Sequence, residues 1–407
     1  MTPKNNTYNA MPDRRSFVTN ALKISALTLA LPKIAAAKKK TDASIMHLMP
    51  ADENGMRLPY GFKSRIVAVE GAAPTKNSNY LWHEKPDGGA VYQDFSRNNL
   101  GGWIYACNEE SKTGGVGALK FNVQGEVIDA YRILDHTLYN CAGGKTPWNT
   151  WLSAEEVPYG KVWECDPYGN NSAKPVDCLG SFEHEACAVD PINRAIYLTE
   201  DEKDGRFYRT VLPNYPSYEG GQLQVAEVQG DVFKGDAKLT WHDVPQPNPV
   251  KPQQETRHQV PASTIFNGGE GLWYFAGFVY FSTKGDNRIW SVDLDNQTIK
   301  VIYDLATTPY PVLSGVDNIT VDNNGILYVC EDGGDMQIVL LSEDGVAAPL
   351  LQIENQDKSE ITGVAFTADG KRMYFNSQRG PSKNGNLGIT YEVTGPFEHV
   401  HQLFDPV

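Results

Sequence analysis

Leu327-Tyr328-Val329-Cys330-Glu331-Asp332 is an apolar-aromatic run that stops abruptly on two acids, with glycine immediately after it. The pattern recurs five more times along the chain. The copies are Trp103-Ile104-Tyr105-Ala106-Cys107-Asn108-Glu109, Trp151-Leu152-Ser153-Ala154-Glu155-Glu156, Ile196-Tyr197-Leu198-Thr199-Glu200-Asp201, Val279-Tyr280-Phe281-Ser282-Thr283-Lys284 and Met373-Tyr374-Phe375-Asn376-Ser377-Gln378. The central anchor falls at Tyr105, Leu152, Tyr197, Tyr280, Tyr328 and Tyr374, with gaps of 47, 45, 83, 48 and 46 residues. A period in the mid-forties built of short strands is the size of a four-stranded propeller blade.

The turns agree. Val-Asp-Asn-Asn-Gly at 321–325 and Thr-Ala-Asp-Gly at 367–370 join alternating apolar runs as hairpin turns do. The long gap holds one blade plus an insertion, and 211–261 is rich in turn residues, with Pro245, Pro247, Pro249 and Pro252 close together. The expected fold is therefore all-β: a six-bladed β-propeller over 60–407 with an insertion between the third and fourth repeats. A stacked solenoid is the alternative, which six closing repeats suit less well.

Counting from each anchor exposes two rings of polar residues. The first holds Asn108-Glu109, Glu155-Glu156, Glu200-Asp201, Thr283-Lys284, Glu331-Asp332 and Ser377-Gln378. The second, ten to fourteen residues before each anchor, holds Asp94, Cys141, His184-Glu185, Glu270, Asp317-Asn318 and Glu360. An antiparallel hairpin starts where it ends, so both rings are expected at one mouth of the central channel. So many like charges repel unless cations sit among them. Hard oxygen donors in this number suit calcium, and a thiolate among them points to a transition metal such as iron. Taken singly, an acid at a strand end is a solvated cap, Cys141 a small buried hydrophobe and His184 a core histidine.

The chain has 407 residues, a net charge of −14 and an apolar fraction of about one half with glycine included. Residues 1–37 read as an export signal. Arg14-Arg15 precede Phe17 in twin-arginine fashion, Ile24 to Leu31 is apolar, and Ala35-Ala36-Ala37 precede a cut; the alternative is an amphipathic surface helix. Residues 38–59 then form a linker. Removing 1–37 takes a net +4 from −14 and leaves −18. So acidic a mature chain argues against nucleic acid or an anionic membrane as partner. Six cysteines in an oxidising compartment permit disulfides, and Cys165 and Cys178 are candidates for a pair whose connectivity stays open. The chain lacks Gly-x-Ser-x-Gly, GxGxxG and P-loop patterns, which disfavours a serine hydrolase or a nucleotide cofactor.

Longer motifs carry a resemblance over nearly the whole mature chain. They are Gly114-Gly115-Val116-Gly117, the run Asn140-Cys141-Ala142-Gly143-Gly144-Lys145-Thr146-Pro147-Trp148-Asn149-Thr150-Trp151-Leu152 with Glu155-Glu156, His184-Glu185-Ala186, Gly269-Glu270-Gly271, Gly315-Val316-Asp317-Asn318, Glu331-Asp332-Gly333-Gly334, Ser359-Glu360-Ile361-Thr362-Gly363 and Ser377-Gln378-Arg379-Gly380. The sequence resembles the PhoX family of secreted calcium- and iron-dependent alkaline phosphatases. The cysteine motif is specific; the short acidic ones are weak alone. The resemblance implies a propeller mouth holding two Fe(3+) and several Ca(2+), bridged by an oxo or hydroxo group that attacks phosphorus in line. It implies iron on Cys141 and some of Glu155, Glu185 and Glu270. Glu156, Glu200, Asp201, Asp317, Asn318, Glu331, Asp332 and Glu360 would hold calcium or orient ligands.

It also implies a small-molecule phosphate ester as substrate, export by the twin-arginine machinery to the periplasm or medium, no membrane span after signal removal, and a monomer. Three departures stand out. Gly268 lies where members often carry a phosphate-gripping arginine, for which Arg379 or Arg288 are the candidate substitutes. Ala154 stands where a cysteine is common, and the chain is shorter than the larger members, which leaves room for missing capping insertions. Two further readings of the residues are a calcium-dependent, lactonase-like propeller hydrolase and a non-catalytic metal-binding propeller. Cys141 discriminates, since neither needs a thiol.

Overall fold

The computed structural model describes residues 47–251, 253–381 and 387–404. The export signal expected in 1–37 lies outside them. The chain divides into two units, Met1–Asp42 and Ala43–Val407, and every described residue belongs to the second. Among the described residues the structure is all-β: 26 strands, three short 3-10 helices and no helix long and apolar enough to cross a membrane.

The strands form five antiparallel sheets in a propeller-like arrangement, four of them with four or five strands and one with nine. Six hairpins set the geometry. Their inner strands are Pro86–Gln93, Asn140–Lys145, His184–Asp190, Gly269–Phe275, Val316–Val321 and Ile361–Phe366, and each pairs with the apolar-aromatic strand that follows it. Each inner strand packs against the next, and Ile361–Phe366 returns against Pro86–Gln93 to close the circle.

The following strands are covered on both faces, which is why they read as unbroken apolar runs rather than alternating ones. Every residue of Trp103–Glu109, Ala195–Glu200 and Leu327–Glu331 is buried. Aromatic stacking welds neighbouring sheets, Tyr105 on Tyr374 at 5.4 Å, and joins the two hairpins of the nine-stranded sheet, Phe207 on Phe281 at 4.5 Å. The chain also closes on itself, because Lys63–Val69 pairs with Ile389–Thr394 as the outermost strand of the last sheet. Ahead of it, Met56–Arg57 pairs with Ile353 and Gln352.

The expected turns are present. Asp322 Oδ1 accepts from the Asn324 and Ile326 amides, at 2.8 and 3.0 Å, ahead of Gly325 at φ +87°. Within 211–261, Gln222–Gln229 extends the third hairpin's sheet, and Ala237–Asp243 joins it edge to edge to Thr298–Asp304. That joint makes the nine-stranded sheet.

Candidate metal centre

Six register pairs place the two strand ends of every hairpin together: Pro86 with Glu109, Asn140 with Glu155, His184 with Glu200, Gly269 with Thr283, Val316 with Glu331 and Ile361 with Ser377. Directly after the first member, the first five inner strands break register in a bulge; in the sixth, Thr362 still pairs with Asn376 and the break follows it. A bulge re-aims a side chain. The residues so placed are Asp87, Cys141, Glu185, Glu270 and Asp317; the sixth hairpin contributes Glu360, just ahead of its inner strand and bridged to Asp332.

Hydrogen bonds from the neighbouring hairpin hold these residues at the backbone. Asn108 Nδ2 donates to the Cys141 carbonyl (2.8 Å), Thr199 Oγ1 to that of Glu270 (2.6 Å), Ser282 Oγ to that of Asp317 (2.5 Å) and Asn376 Nδ2 to that of Asp87 (2.7 Å). Inner strands approach so closely that a methyl on Gly271 would lie 2.4 Å from the Ile319 nitrogen, which leaves only glycine there.

Adjacent acids at a strand end face opposite ways, and the two members of each pair accordingly do different work. The first member clamps backbone. Glu155 accepts from the Leu138 and Lys161 amides, both at 3.0 Å; Glu331 accepts from Ser314 (2.9 Å) and Gln337 (3.0 Å); Glu200 accepts from the Arg206 amide (3.1 Å) and the Tyr208 hydroxyl (2.8 Å). Replacing Glu331 by alanine strands two amides and should cost about 1–3 kcal/mol. Denaturant melts should show that loss, while bound metal per chain stays at the wild-type value.

The second members, Glu156 and Asp332, enter the mouth with Glu110, and Asp201 makes a hydrogen-bonding contact with Glu156. Four groupings bring potential ligand atoms within 4.8 Å of one another: Cys141–Glu156–Glu185, Asp87–Glu110–Glu360, Glu185–Glu270–Asp317 and Asp317–Asp332–Glu360. Neighbouring groupings share members, so eight carboxylates and one thiol form a continuous set.

Among the described residues, the cations that reach this set are three. Lys284 Nζ lies 2.6 Å from Glu270, Arg379 Nη2 lies 2.8 Å from Glu360, and Lys85 Nζ lies 3.9 Å from Glu110. Gln378 Nε2 also donates to Asp87 and Glu110, at 2.7 Å each. Negative charge is left over. Burial first, and then the neighbouring carboxylates, push Asp87 up to about 8 and Glu156 to about 9. The same two causes, in the same order, raise Glu185 and Cys141 well above their ordinary values. For Glu270 and Glu360 burial again leads, with Lys284 and Arg379 respectively pulling back the other way. Glu185 is fully buried, and neither of its carboxylate oxygens has a hydrogen-bond partner.

Several expected residues are not brought into this set. Glu155, Glu200 and Glu331 are the clamps just described. Asn318 donates to Asp317 Oδ1 (2.7 Å) and accepts from the Gly363 amide (2.8 Å), which positions Asp317. Asp94 lies at the opposite end of its hairpin, bonded to Asn99 and Lys120. His184 is in the core, donating to the Gly180 carbonyl at 3.1 Å and packed on Phe182. Arg288 is held by Asp304 and Asp286, at 2.9 and 3.0 Å. Cys165 and Cys178 are free thiols, as are the other four cysteines.

Asp87 and Glu110 were missed. Pro86 and Glu109 are 23 positions apart, against 15 for Asn140 and Glu155, so a fixed count back from Tyr105 lands on Asp94. Aligning Pro86-Asp87-Gly88-Gly89 with Asn140-Cys141-Ala142-Gly143 would have found it.

The profile of the family described as alkaline phosphatase PhoX matches residues 96–160, 157–302 and 293–380. The chain belongs to the alkaline phosphatase PhoX family. PhoX proteins are metal-dependent phosphoric ester hydrolases. Comparison with the curated proteins finds no match. Among solved structures, the chain is similar to Pseudomonas fluorescens PhoX in complex with vanadate, a transition state analogue. Identity is 16% and the TM-score 0.67, over 86% of this chain and 97% of that one. It is also similar to XC5397 from Xanthomonas campestris, a gluconolactonase, at 13% identity and TM-score 0.51, over 86% and 98%. These two likenesses concern the fold. At the PhoX departure, Gly268 has φ +69°, and a methyl there would lie 3.3 Å from Asp201 Oδ1. Position 268 therefore borders the mouth.

Proposed function

We propose that this mouth is a mixed iron–calcium centre that hydrolyses small-molecule phosphate esters. The observation that carries it is Glu185, a fully buried carboxylate with no hydrogen-bond partner for either oxygen, shared between a thiol-containing grouping and an all-oxygen one. A bare buried carboxylate costs several kcal/mol, and ion ligation is the simplest way to offset it. Cys141, Glu156 and Glu185 fit iron, since the thiolate selects a transition metal. Asp87, Glu110, Glu270, Asp317, Asp332 and Glu360 offer the hard oxygens that calcium takes.

When bound, such ions supply Lewis acidity toward a phosphoryl oxygen and an attacking water. The chain's own groups orient the ester. Arg379 keeps Nη1 without a partner while Nη2 is held on Glu360, leaving a guanidinium donor for phosphate oxygen in place of the residue missing at Gly268. A lactonase-like hydrolase would have no use for a thiol at the centre.

The fuller architecture in this reading is one six-bladed domain over 60–407, led into by 38–59. The nine-stranded sheet counts as two blades, and the insertion lies between the third and fourth. Arg14-Arg15 and the apolar run after them support export by the twin-arginine machinery to the periplasm or medium.

The test is hydrolysis of p-nitrophenyl phosphate by the purified full chain before and after dialysis against EDTA. Activity should vanish on chelation and return when iron and calcium are restored together. Chelator-insensitive hydrolysis, or cleavage of a lactone in place of the phosphate ester, would overturn the reading.

A further inference from the structure

At the position after the clamping residue, four hairpins carry an acid (Glu110, Glu156, Asp201 and Asp332), the sixth carries the amide of Gln378, and the fourth carries Lys284. Lys284 Nζ lies 2.6 Å from Glu270 Oε1, 3.3 Å from Asp317 Oδ2 and 3.6 Å from Asp332 Oδ2. These three acids belong to two groupings, Glu185–Glu270–Asp317 and Asp317–Asp332–Glu360. The ammonium therefore sits where the two meet.

Its base is fixed as well. The Lys284 amide donates to the Gly268 carbonyl at 2.7 Å, and the preceding Thr283 side chain is held by Asp286 and by Trp290 Nε1. An ammonium has three N–H donors; two are taken up by Glu270 and Asp317 within hydrogen-bond distance, and Asp332 adds an ion pair at 3.6 Å.

We propose that Lys284 is a resident cation standing in for a metal ion between these two groupings, so that the chain binds one ion fewer than its ligands could otherwise hold. The inference rests on the metal-centre reading. A calcium ion needs the same oxygens at about 2.3–2.6 Å, which would place it on top of the ammonium. Two positive charges cannot share that position, and the covalently tethered one is always present. Removing it leaves Glu270 and Asp317 without their counter-charge, while Asp332 keeps Arg379 at 3.6 Å, and a divalent ion then becomes the neutralising partner.

The test is metal content per chain, by plasma mass spectrometry after equilibration with calcium, for the wild type, Lys284→Met and Lys284→Arg. Lys284→Met should bind one more calcium per chain than the wild type and show a larger calcium-induced rise in Tm. Lys284→Arg should match the wild type. Should Lys284→Met not be recovered folded, Lys284→Gln gives the same readout. An unchanged or lower calcium count in the neutral variant overturns the proposal. A raised KM for p-nitrophenyl phosphate with unchanged calcium does so too, and makes Lys284 a substrate-binding group. Absence of metal from every form, wild type included, overturns the metal-centre reading itself, so the two failures are distinguishable.

Discussion

Glu185→Gln should lower kcat/KM for a phosphate ester by well over the 10–100-fold that loss of an outer-shell partner costs a metal enzyme. It should also remove at least one metal ion per chain. The carboxylate sits in two of the four groupings, so its loss weakens both. Glutamine is nearly isosteric and neutral, and the side chain is fully buried, so the substitution removes charge with little change of shape. The metal-free variant should even gain stability, because one of several mutually repelling buried acids is gone. Steady-state kinetics, metal analysis and melts of the chelated protein read the three effects separately. Activity within twofold of wild type, with metal content intact, would show that Glu185 is buried for structural reasons alone.

The second large effect concerns pH. In the metal-free chain, Asp87 is raised from 3.8 to about 8 and Glu156 from 4.5 to about 9, through burial and then adjacent carboxylates. Between the unfolded and folded values the native state binds more protons than the unfolded one, so stability falls as pH rises. The EDTA-stripped protein should, as far as these groups decide, be most stable below about pH 4 and lose stability progressively up to about pH 9. A fall in Tm of more than about 5 °C across that window is expected, given the few degrees that each kcal/mol moves a domain of this size. Metal-loaded protein should show a flatter profile, because ligation takes over from the proton as counter-charge. Melting curves at half-unit pH steps, with and without metal, check both slopes. A Tm that rises with pH in the stripped form would contradict the crowding of these carboxylates.

The strand character of this chain was legible because propeller-like packing covers both faces of the strands that carry the repeat. Tyr105, Tyr197, Tyr328 and Tyr374 are fully buried anchors and leave an unbroken apolar signature. Position within a hairpin then located Cys141, Glu185, Glu270, Asp317 and Glu360 at one mouth. Facing was not legible. Glu155-Glu156 and Glu331-Asp332 look equivalent as letters, yet the pleat sends one member to backbone amides and the other toward the channel. Register in the first repeat was also lost, because the loop after Gln93 lengthens that hairpin and displaces Asp87 from any fixed count, while a one-residue shift of the anchor displaces Glu110. The anchor there is Ala106 by register, one residue after Tyr105.

Iron and calcium per chain, measured on full-length protein purified without chelators alongside its Cys141→Ser variant, test the central claim most directly. About two irons per chain with calcium beside them, and iron lost on removing the thiol, is the result expected of a thiolate-anchored phosphatase centre. Calcium without iron, or iron that survives Cys141→Ser unchanged, would contradict it.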